Sequence, residues 1–399
     1  MRWLRAVPAV LVAATVLTPG AAAQPSSAPP PQSACANPSG VYPGAVPWGQ
    51  RVVDASRVWP LTDGSGQTVA VIGTGVDAAN AQFGPDQVLP VRGIGAGATA
   101  PAPDCDGRGT VAAGIVAARQ NRSTTFAGVA PGAKVLPVRY LRPGGNSADS
   151  ADPDALAAAI ITAADAKAGV ILVAVPSPVD SPALTAAVND ARRRGSVVIS
   201  AASAKEEGAV TYPSATPGVL AVGSLNQQMQ PVQRESGRHL SLSAPGADLV
   251  SVSAGGQGKL AHRWPVTDPS MAGAYVAGAA ALLRAYRPEL TPDQVITRLT
   301  LTANRPPGGT HDPRQGWGLV DAYTAVSADI PPDAVGPGGP LPRPVAGAIV
   351  PAAAPARPPV NELAGVVAIA GVGAAALVGL IVATFRRGRT RGWRPGRRA

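Results

Sequence analysis

Residues 69–77, VAVIGTGVD, join a strand-like apolar run to a glycine turn, and two kinds of chemistry suit such a segment. The carboxyl end of a strand in a parallel α/β sheet opens into a crevice where ligands and catalytic side chains collect. Gly73, Gly75 and Ala78 have the spacing of a dinucleotide-binding turn, in which glycines let the backbone approach a phosphate. Alternatively, the strand end is the position of a catalytic side chain, and Gly73 marks its loss.

The dinucleotide interpretation needs two further features that the sequence lacks. A helix must open directly after the glycine turn, and an acidic residue must follow about 20 residues later on the next strand. The segment 78–88 is short and interrupted by Gly84-Pro85, and the apolar segment 88–95 ends without an acid. We therefore disfavour nucleotide binding, and we predict neither a cofactor nor a metal ion.

Strand-like and helix-like segments alternate along residues 46–329. The apolar run VILVAV is typical of a strand buried on both faces, and Asp152 before Pro153 is a helix-start signal. We predict strands at 67–72, 134–139, 170–175, 196–202 and 218–224, and helices at 110–118, at 270–286 and after Asp152, Ser181 and Thr291. This order predicts an α/β fold with a mostly parallel, twisted sheet and helices on both faces.

The first 23 residues have the pattern of a secretory signal peptide. Arg2 and Arg5 precede an apolar stretch from Ala6 to Leu17, and small residues at 21–23 suit cleavage. An uncleaved anchor is the alternative. Residues 24–45, rich in Pro, Ser and Ala, are predicted to form an extended N-terminal arm before the main domain at 46–329.

The C-terminal end is predicted to anchor the chain in a membrane. Residues 330–361 form a Pro-rich, semi-rigid stalk. Leu363 to Phe385 is free of charge and long enough to span a bilayer as a helix within residues 362–385. Residues 386–399 carry seven arginines and no acid, which favours a cytoplasmic tail. We therefore expect a single-pass protein of the cell membrane, with its main domain outside the cytoplasm.

The net charge of +10 comes from the two ends of the chain. Nine of the 34 basic residues are arginines in residues 1–23 and 386–399, where no acid occurs. The rest of the chain is therefore close to neutral. A nucleic-acid-binding protein needs a basic stripe in its folded part, and this composition argues against one.

The chain has two cysteines, Cys35 and Cys105. An even count in a secreted domain predicts one disulfide, although two unpaired thiols remain an alternative. Closure of a loop of about 70 residues would stabilise the fold by about 4 kcal/mol in the chain-entropy model.

Six segments along the main domain occur in the order and spacing of a known family. They are VAVIGTGVD (69–77), DGRGTVAAGIVAAR (106–119), GVAPGAKVLPVR (128–139), TYPSATPGVLAVGSL (211–225), DPSMAGAYVAGAAALL (268–283) and GWGLVDAYTAV (316–326). Over about residues 46–329 the sequence resembles the subtilisin-like serine proteases, or subtilases. The signal peptide, the cysteine pair, the stalk and the anchor make it similar to the mycosins, membrane-anchored subtilases associated with type VII secretion. The resemblance implies a subtilisin-like fold and partners from a type VII secretion membrane complex.

The resemblance also assigns the catalytic positions, and three of the four are substituted. Serine hydrolysis needs a nucleophile, a base, a carboxylate that orients the base and an oxyanion donor. Ser270 stands at the nucleophile position, but Arg108 stands at the histidine position, Gly73 at the aspartate position and Ala204 at that of the oxyanion asparagine. A guanidinium has no acceptor and stays charged, so it cannot take the serine proton. We therefore predict that proteolysis is lost.

The surroundings of these positions are altered as well. Asp268 and Pro269 replace the usual Gly-Thr before the serine, and Pro176 removes an amide donor from the edge that would bind substrate. Since the base and serine positions adjoin in subtilases, we hypothesise an ion pair between Arg108 and Asp268 in the former catalytic cleft. In the alternative, Arg108 reaches solvent or Asp106.

The sequence thus predicts a mycosin-like pseudoprotease with a structural or regulatory role in type VII secretion. Two alternatives remain open. One is an active serine endopeptidase with a substituted base, although His239, His262 and His311 all lie outside the matched positions. The other is a module that binds peptides in the inactive cleft, with Arg108 holding a carboxylate group.

Overall fold

The computed structural model describes residues 36–95, 104–141, 151–331, 333–337, 377–388 and 391. Contacts between residues divide the chain into two units, Met1–Pro342 and Arg343–Ala399. The predicted signal peptide and Cys35 lie outside the described residues. No free cysteine is found among the described residues, and the Cys35–Cys105 disulfide stays a prediction.

In the second unit, residues 377–388 form a helix. Within the described part of the chain, no helix has both the length and the apolar character needed to cross a bilayer. Residues 363–376 of the predicted span, like most of the predicted stalk, lie outside the described residues. The membrane span and the single-pass topology therefore stay predictions.

The first unit is built on a parallel sheet of seven strands. They are β1 (Thr68–Gly73), β2 (Arg92–Gly93), β3 (Lys134–Arg139), β4 (Val170–Val173), β5 (Val197–Ala201), β6 (Leu220–Leu225) and β7 (Leu240–Pro245). Their order across the sheet is β2-β3-β1-β4-β5-β6-β7, and every pairing is parallel. An antiparallel pair, β8 (Leu249–Val252) and β9 (His262–Val266), forms a second small sheet.

Seven α-helices accompany the sheet within the described part of this unit. They are α1 (Trp48–Val53), α2 (Arg108–Ala117), α3 (Pro153–Asp165), α4 (Pro182–Arg193), α5 (Ala272–Tyr286), α6 (Pro292–Leu301) and α7 (Ala322–Ser327). The three helix starts predicted from polar residues before a proline are confirmed. The side chains of Asp152, Ser181 and Thr291 each accept a hydrogen bond from a backbone N–H of the first turn.

The predicted α/β fold with helices on both faces is confirmed. Alternation along β1 shows the two layers: Val69 and Val71 pack in one core cluster with residues of α2 and α5, and Ala70 and Ile72 pack in another with residues of α3 and α4. Side chains that are buried on both faces explain the continuous apolar runs of the sequence.

Several element boundaries differ from the prediction by one or two residues, and three of the differences lie beside the candidate site. The helix predicted at 110–118 already begins at Arg108. The predicted helix 270–286 is divided into a short 3-10 helix, Pro269–Met271, and α5. The strand predicted at 170–175 ends at Val173. Each difference reflects a turn that sets the position of a cleft residue and that the apolar pattern does not encode.

The described part of the N-terminal arm runs along the small sheet. Gly40 forms an isolated antiparallel bridge with His262 of β9, and the ring of Tyr42 packs edge-on against Trp264. At its beginning, the backbone N–H of Ala36 donates to the carbonyl of Cys105 over 2.8 Å. The arm therefore contacts the segment directly before α2.

Candidate functional site

The predicted site residues come together at the carboxyl edge of the sheet. Arg108, Ala204 and Ser270 line one cavity of about 660 Å³. Gly73 does not line it, but its nearest neighbours on that side, Ala174 and Val175, do. Four positions far apart in the sequence are thus gathered as the family resemblance implies.

Gly73 ends β1 in a backbone conformation that other residues can adopt. A Cβ atom built at this position would lie 3.6 Å from Cγ2 of Val175 and 3.7 Å from Cβ of Ala174, which are ordinary contact distances. The strand end therefore has room for a side chain. The site therefore lacks a carboxylate only because residue 73 is a glycine, since the surrounding backbone leaves space for a side chain there.

Arg108 is the first residue of α2, and Gly107 before it has a φ of +86°. The Nε of Arg108 lies 2.8 Å from Oδ1 of Asp106, and its Nη2 donates to Oδ2 of the same carboxylate over 3.3 Å. The hypothesis of an Arg108–Asp268 ion pair is wrong in this structure, since Asp106 is the carboxylate that binds this guanidinium among the described residues. The reason is local: Asp106 is two residues away, and the carboxylate of Asp268 is bound elsewhere.

Asp268 binds Ser270, a contact that the sequence analysis missed. Its Oδ1 accepts the backbone N–H of Ser270 over 2.9 Å and the Ser270 hydroxyl over 2.7 Å. Asp268 is the N-cap of the 3-10 helix, with Pro269 at the first helical position. The signal was present in the sequence, because Asp before Pro is a helix-start pattern. The serine at the nucleophile position is therefore already bound by a carboxylate of the same chain, and Ser270 is only 4% exposed.

The backbone at the edge of the cleft that would bind an extended substrate already makes hydrogen bonds within the protein. The hydroxyl of Tyr140 donates to the carbonyl of Val175 over 2.5 Å, and Pro176 has no N–H. Ser177 and Tyr212 exchange backbone hydrogen bonds of 2.8 Å in both directions. Burial raises the pKa of the Tyr140 hydroxyl, although the charge of Arg108 opposes the shift, so the hydroxyl stays a donor.

Ala204 lies at the cavity wall and offers no side-chain donor, and its backbone N–H is also bound. This N–H donates to Oε2 of Glu235 over 3.1 Å. Glu235 is fully buried and also accepts hydrogen bonds from Thr211, Ser214 and His239. Burial raises the pKa of Glu235, but these donors outweigh that effect and lower it overall, so Glu235 is ionised at neutral pH.

A second buried carboxylate, Asp104, lies at the start of α2. Oδ1 of Asp104 accepts the N–H of Gly107 over 3.0 Å, and Oδ2 accepts the N–H and the hydroxyl of Thr110 over 2.8 and 2.7 Å. Burial raises the pKa of Asp104 in spite of these hydrogen bonds. Asp104 thus fixes the turn that positions Arg108, and the sequence analysis did not single it out.

The comparisons with known proteins agree with this geometry. A model of the subtilase family matches residues 64–318, which is more than half of the chain. The chain belongs to the subtilase family. Within it, the chain is 34% identical to mycosin-1 of Mycobacterium tuberculosis over 75% of this chain and 77% of that protein.

Solved structures lead to the same group of subtilases. The structure of the MycP3 protease from the type VII (ESX-3) secretion system shares 32% identity at a TM-score of 0.63, over 75% of this chain and 93% of that one. A chain in the structure of an intact ESX-5 inner membrane complex shares 26% identity at a TM-score of 0.63, over 89% of this chain and 94% of that one. The resemblance to the mycosins is therefore confirmed.

In this subtilase, the described wall of the cavity contains no histidine. Nε2 of His239 contacts Glu235, and Nε2 of His311 contacts the carbonyl of Leu240 over 2.7 Å. His262 is completely buried between the arm and Gln82, and burial lowers its pKa to about 4. No described histidine is thus placed to accept a proton from Ser270.

The described residues include no cluster of three histidine, cysteine or acidic side chains that could hold a metal ion. The cavity contains a hydroxyl, a carboxylate that accepts the hydroxyl proton in a hydrogen bond, and a guanidinium paired with a second carboxylate.

Proposed function

We propose that this chain is a membrane-anchored, mycosin-like pseudoprotease that serves as a structural or regulatory component of a type VII secretion system. The observation that carries the loss of activity is the pair of hydrogen bonds from Ser270 to Asp268. The backbone N–H of a nucleophilic serine at a helix start is a donor for the oxyanion that develops during acyl transfer. Here an internal carboxylate already accepts that N–H.

The substitutions at the other positions support the same conclusion. Removal of the serine or the base from a subtilase triad lowers kcat by about 10⁶-fold, and an oxyanion donor contributes about 10²–10³-fold. In this chain Arg108 cannot act as a base, and the one described carboxylate bonded to it is Asp106. The engaged carbonyl of Val175 and the missing N–H of Pro176 further disfavour the binding of an extended peptide substrate.

The role in secretion rests on the similarity to the mycosins and on the predicted anchor. The matched region includes nearly all of the chain found in the ESX-5 inner membrane complex. A structural role in such a complex needs binding surfaces and attachment to the membrane, and it does not require a complete triad.

A fluorophosphonate probe tests the loss of activity. The full-length chain in neutral detergent is compared with its Ser270→Ala variant and with an active serine protease as positive control. We expect no labelling of Ser270 above that of the variant. Stoichiometric labelling that disappears in Ser270→Ala would contradict the proposal.

The secretion role and the anchor are tested separately. We expect the intact chain to co-purify with secretion membrane components, and a variant that ends at residue 342 to lose them. For the topology, alkaline phosphatase fused after residue 361 should be active outside the cytoplasm, and the same enzyme fused after residue 399 should be inactive. Activity of both fusions would contradict a single span at 362–385.

One observation favours the alternative of an active endopeptidase. Oδ1 of Asp268 lies 2.7 Å from Oγ of Ser270, within the range in which a carboxylate can accept the hydroxyl proton. If Asp268 served as a substituted base, Asp268→Asn would abolish probe labelling. Under our proposal Asp268→Asn does not reduce labelling, because the wild type shows none.

A further inference from the structure

Four exposed arginines lie on two segments that pack together near β7, the edge strand next to β6. Arg234 and Arg238 belong to the connection between β6 and β7, and Arg305 and Arg314 belong to the segment between α6 and α7. We call these four side chains the arginine face.

The two segments form one continuous surface. Nη2 of Arg314 donates to the carbonyl of Gln233 over 3.0 Å, and Nε2 of Gln233 donates back to the carbonyl of Arg314 over 2.6 Å. The N–H of Gly237 donates to the carbonyl of Pro313 over 2.8 Å. The guanidinium of Arg305 lies 5.1 Å from the ring centre of Trp317, whose own N–H donates to the carbonyl of Ser241. These contacts join the two segments and hold the side chains of Arg305 and Arg314.

The charge of this surface is not neutralised within the described structure. Among the described residues, no carboxylate lies within ion-pair distance of these four arginines, whereas Arg192 and Arg193 of α4 and Arg194 directly after it each have one. Among the acids on these segments, Glu235 is buried and bound by its own donors, and Asp312 accepts two backbone N–H groups. His239 and His311 add two titratable groups on the same segments.

The arginine face meets the mouth of the cavity at Arg234, which lines the cavity together with Gln233 and Lys205. Glu206 is an acid on the wall of this cavity. A surface that continues into a cavity of about 660 Å³ suits a polypeptide, which can insert side chains, better than a flat bilayer.

The small number of apolar anchors also argues against a membrane as the occupant. Amphipathic segments that bind bilayers combine cations with exposed aromatic or aliphatic side chains that insert among the lipids. Met229 is an exposed large hydrophobic residue on the connection between β6 and β7, and none lies within 233–241 or 304–317. Four cations beside a single exposed apolar side chain favour electrostatic complementarity with another protein.

We propose that the arginine face is a docking surface for an acidic polypeptide segment of a partner protein. The segment lies across Arg238, Arg305 and Arg314 and enters the mouth of the cavity beside Arg234. This inference does not depend on whether Ser270 is active, because the four arginines take no part in the triad positions.

The test uses the full-length chain in neutral detergent and a fluorescein-labelled oligoglutamate peptide, followed by fluorescence anisotropy. Among the described residues, Arg234 and Arg238 have no side-chain hydrogen-bond or ion-pair partner, so the double variant Arg234→Glu/Arg238→Glu should fold normally. Its matched control is Arg92→Glu/Arg122→Glu, which makes the same change of net charge at exposed positions, Arg92 lying in β2 at the opposite edge of the sheet.

We expect the Arg234→Glu/Arg238→Glu variant to bind the peptide about tenfold or more weakly than the wild type, and the control to bind like the wild type. Binding of the wild type should also weaken between about 0.1 M and about 1 M salt, where screening shortens the Debye length. Equal losses in the two variants would overturn the proposal.

Two further outcomes would overturn it in favour of another ligand. Tighter binding to phosphatidylglycerol vesicles than to the peptide, lost in Arg234→Glu/Arg238→Glu, would make the face a lipid-binding surface. The arginine face would be a small-anion site if inorganic phosphate displaced the peptide at a phosphate concentration equal to the concentration of peptide carboxylates. If neither competes and the charge reversal is specific, the proposal stands.

Discussion

The two sides of the candidate cleft have departed from an active subtilase in opposite ways. On the serine side, the nucleophile position is kept, but a carboxylate has been added that binds it. On the base side, the functional groups are gone, but the space at Gly73 remains and α2 still begins where a base would be presented. Under our proposal, the serine side is blocked by a group that was gained, and the base side is inactive through groups that were lost.

The difference teaches that the loss of activity we propose does not come from a collapse of the scaffold. Helix α2 and the 3-10 helix that carries Ser270 meet at one cavity, and β1, α2 and α5 still carry the core of the sheet. Catalytic side chains lie at the ends of these elements, where substitutions change chemistry with little effect on packing.

The largest expected effect comes from repair of both sides together. The variant Gly73→Asp/Arg108→His/Ala204→Asn/Asp268→Gly restores the carboxylate, the base and the oxyanion donor and removes the internal anion. We expect its fluorophosphonate labelling rate to exceed that of the wild type by about 10³-fold or more, because the parts of a triad act as a unit.

The single variants are the controls for this repair. Each should label like the wild type, since the other defects remain. Peptide cleavage should stay low even in the repaired variant, because Pro176 and the Tyr140–Val175 contact still disturb the substrate edge. Full labelling by Asp268→Gly alone would show that Ser270 can be activated without a restored base. It would contradict the view that both sides of the cleft are inactive.

The second effect concerns stability on the serine side. Glu235→Ala leaves the N–H of Ala204 and the hydroxyls of Thr211 and Ser214 without their acceptor beside the cavity. Removal of one partner from a buried charged network costs about 3 kcal/mol of unfolding free energy. Urea unfolding followed by tryptophan fluorescence measures this. Asp106→Ala on the base side is the matched control, with a cost below about 1 kcal/mol, because its pair with Arg108 is partly exposed.

How far the sequence predicted this structure depends on the kind of signal. The mostly parallel sheet and the helix starts at Asp152, Ser181 and Thr291 were predicted from apolar runs and capping patterns, because these act over a few neighbouring residues. The order of the strands across the sheet was not predicted. The gathering of Arg108, Ala204 and Ser270 around one cavity followed from the family resemblance.

Contacts between side chains near the cleft were not predictable in the same way. Arg108 had two acidic candidates, Asp106 and Asp268, and only the turn geometry decides between them. Tyr140 and Glu235 carry no sequence signal for their roles, since the cleft groups that they bind, the Val175 carbonyl and the Ala204 N–H, lie 35 and 31 residues away in the chain. Long-range polar contacts depend on the assembled fold.

The third effect is a pH dependence that distinguishes the arm from the serine side. His262 accepts the N–H of Tyr42 at Nδ1, and burial lowers its pKa from 6.5 to about 4. Because the unfolded chain then binds the proton more tightly than the folded one, stability is complete above about pH 6.5 and falls as the pH drops towards 4. We expect a loss of about 2 kcal/mol between pH 7 and pH 5.

Denaturant unfolding at both pH values measures this loss, and the variant His262→Gln, which does not titrate, should lack it. Glu235 should contribute no loss in this window, because its lowered pKa keeps it ionised until the pH falls below its usual range. An equal loss of stability in His262→Gln would assign the effect to other titrating groups.

The smallest expected effect is that of Arg108 itself. Its side chain is 28% exposed and pairs with a carboxylate only two residues away, so Arg108→Ala should lower the unfolding free energy by no more than about 0.5 kcal/mol. The same variant should leave fluorophosphonate labelling absent, because removal of a cation supplies no base. A loss above about 2 kcal/mol in urea unfolding would mean that Arg108 stabilises the cleft as strongly as a buried ion pair does. The base side would then have gained a structural function in place of its catalytic one, as the serine side did with Asp268.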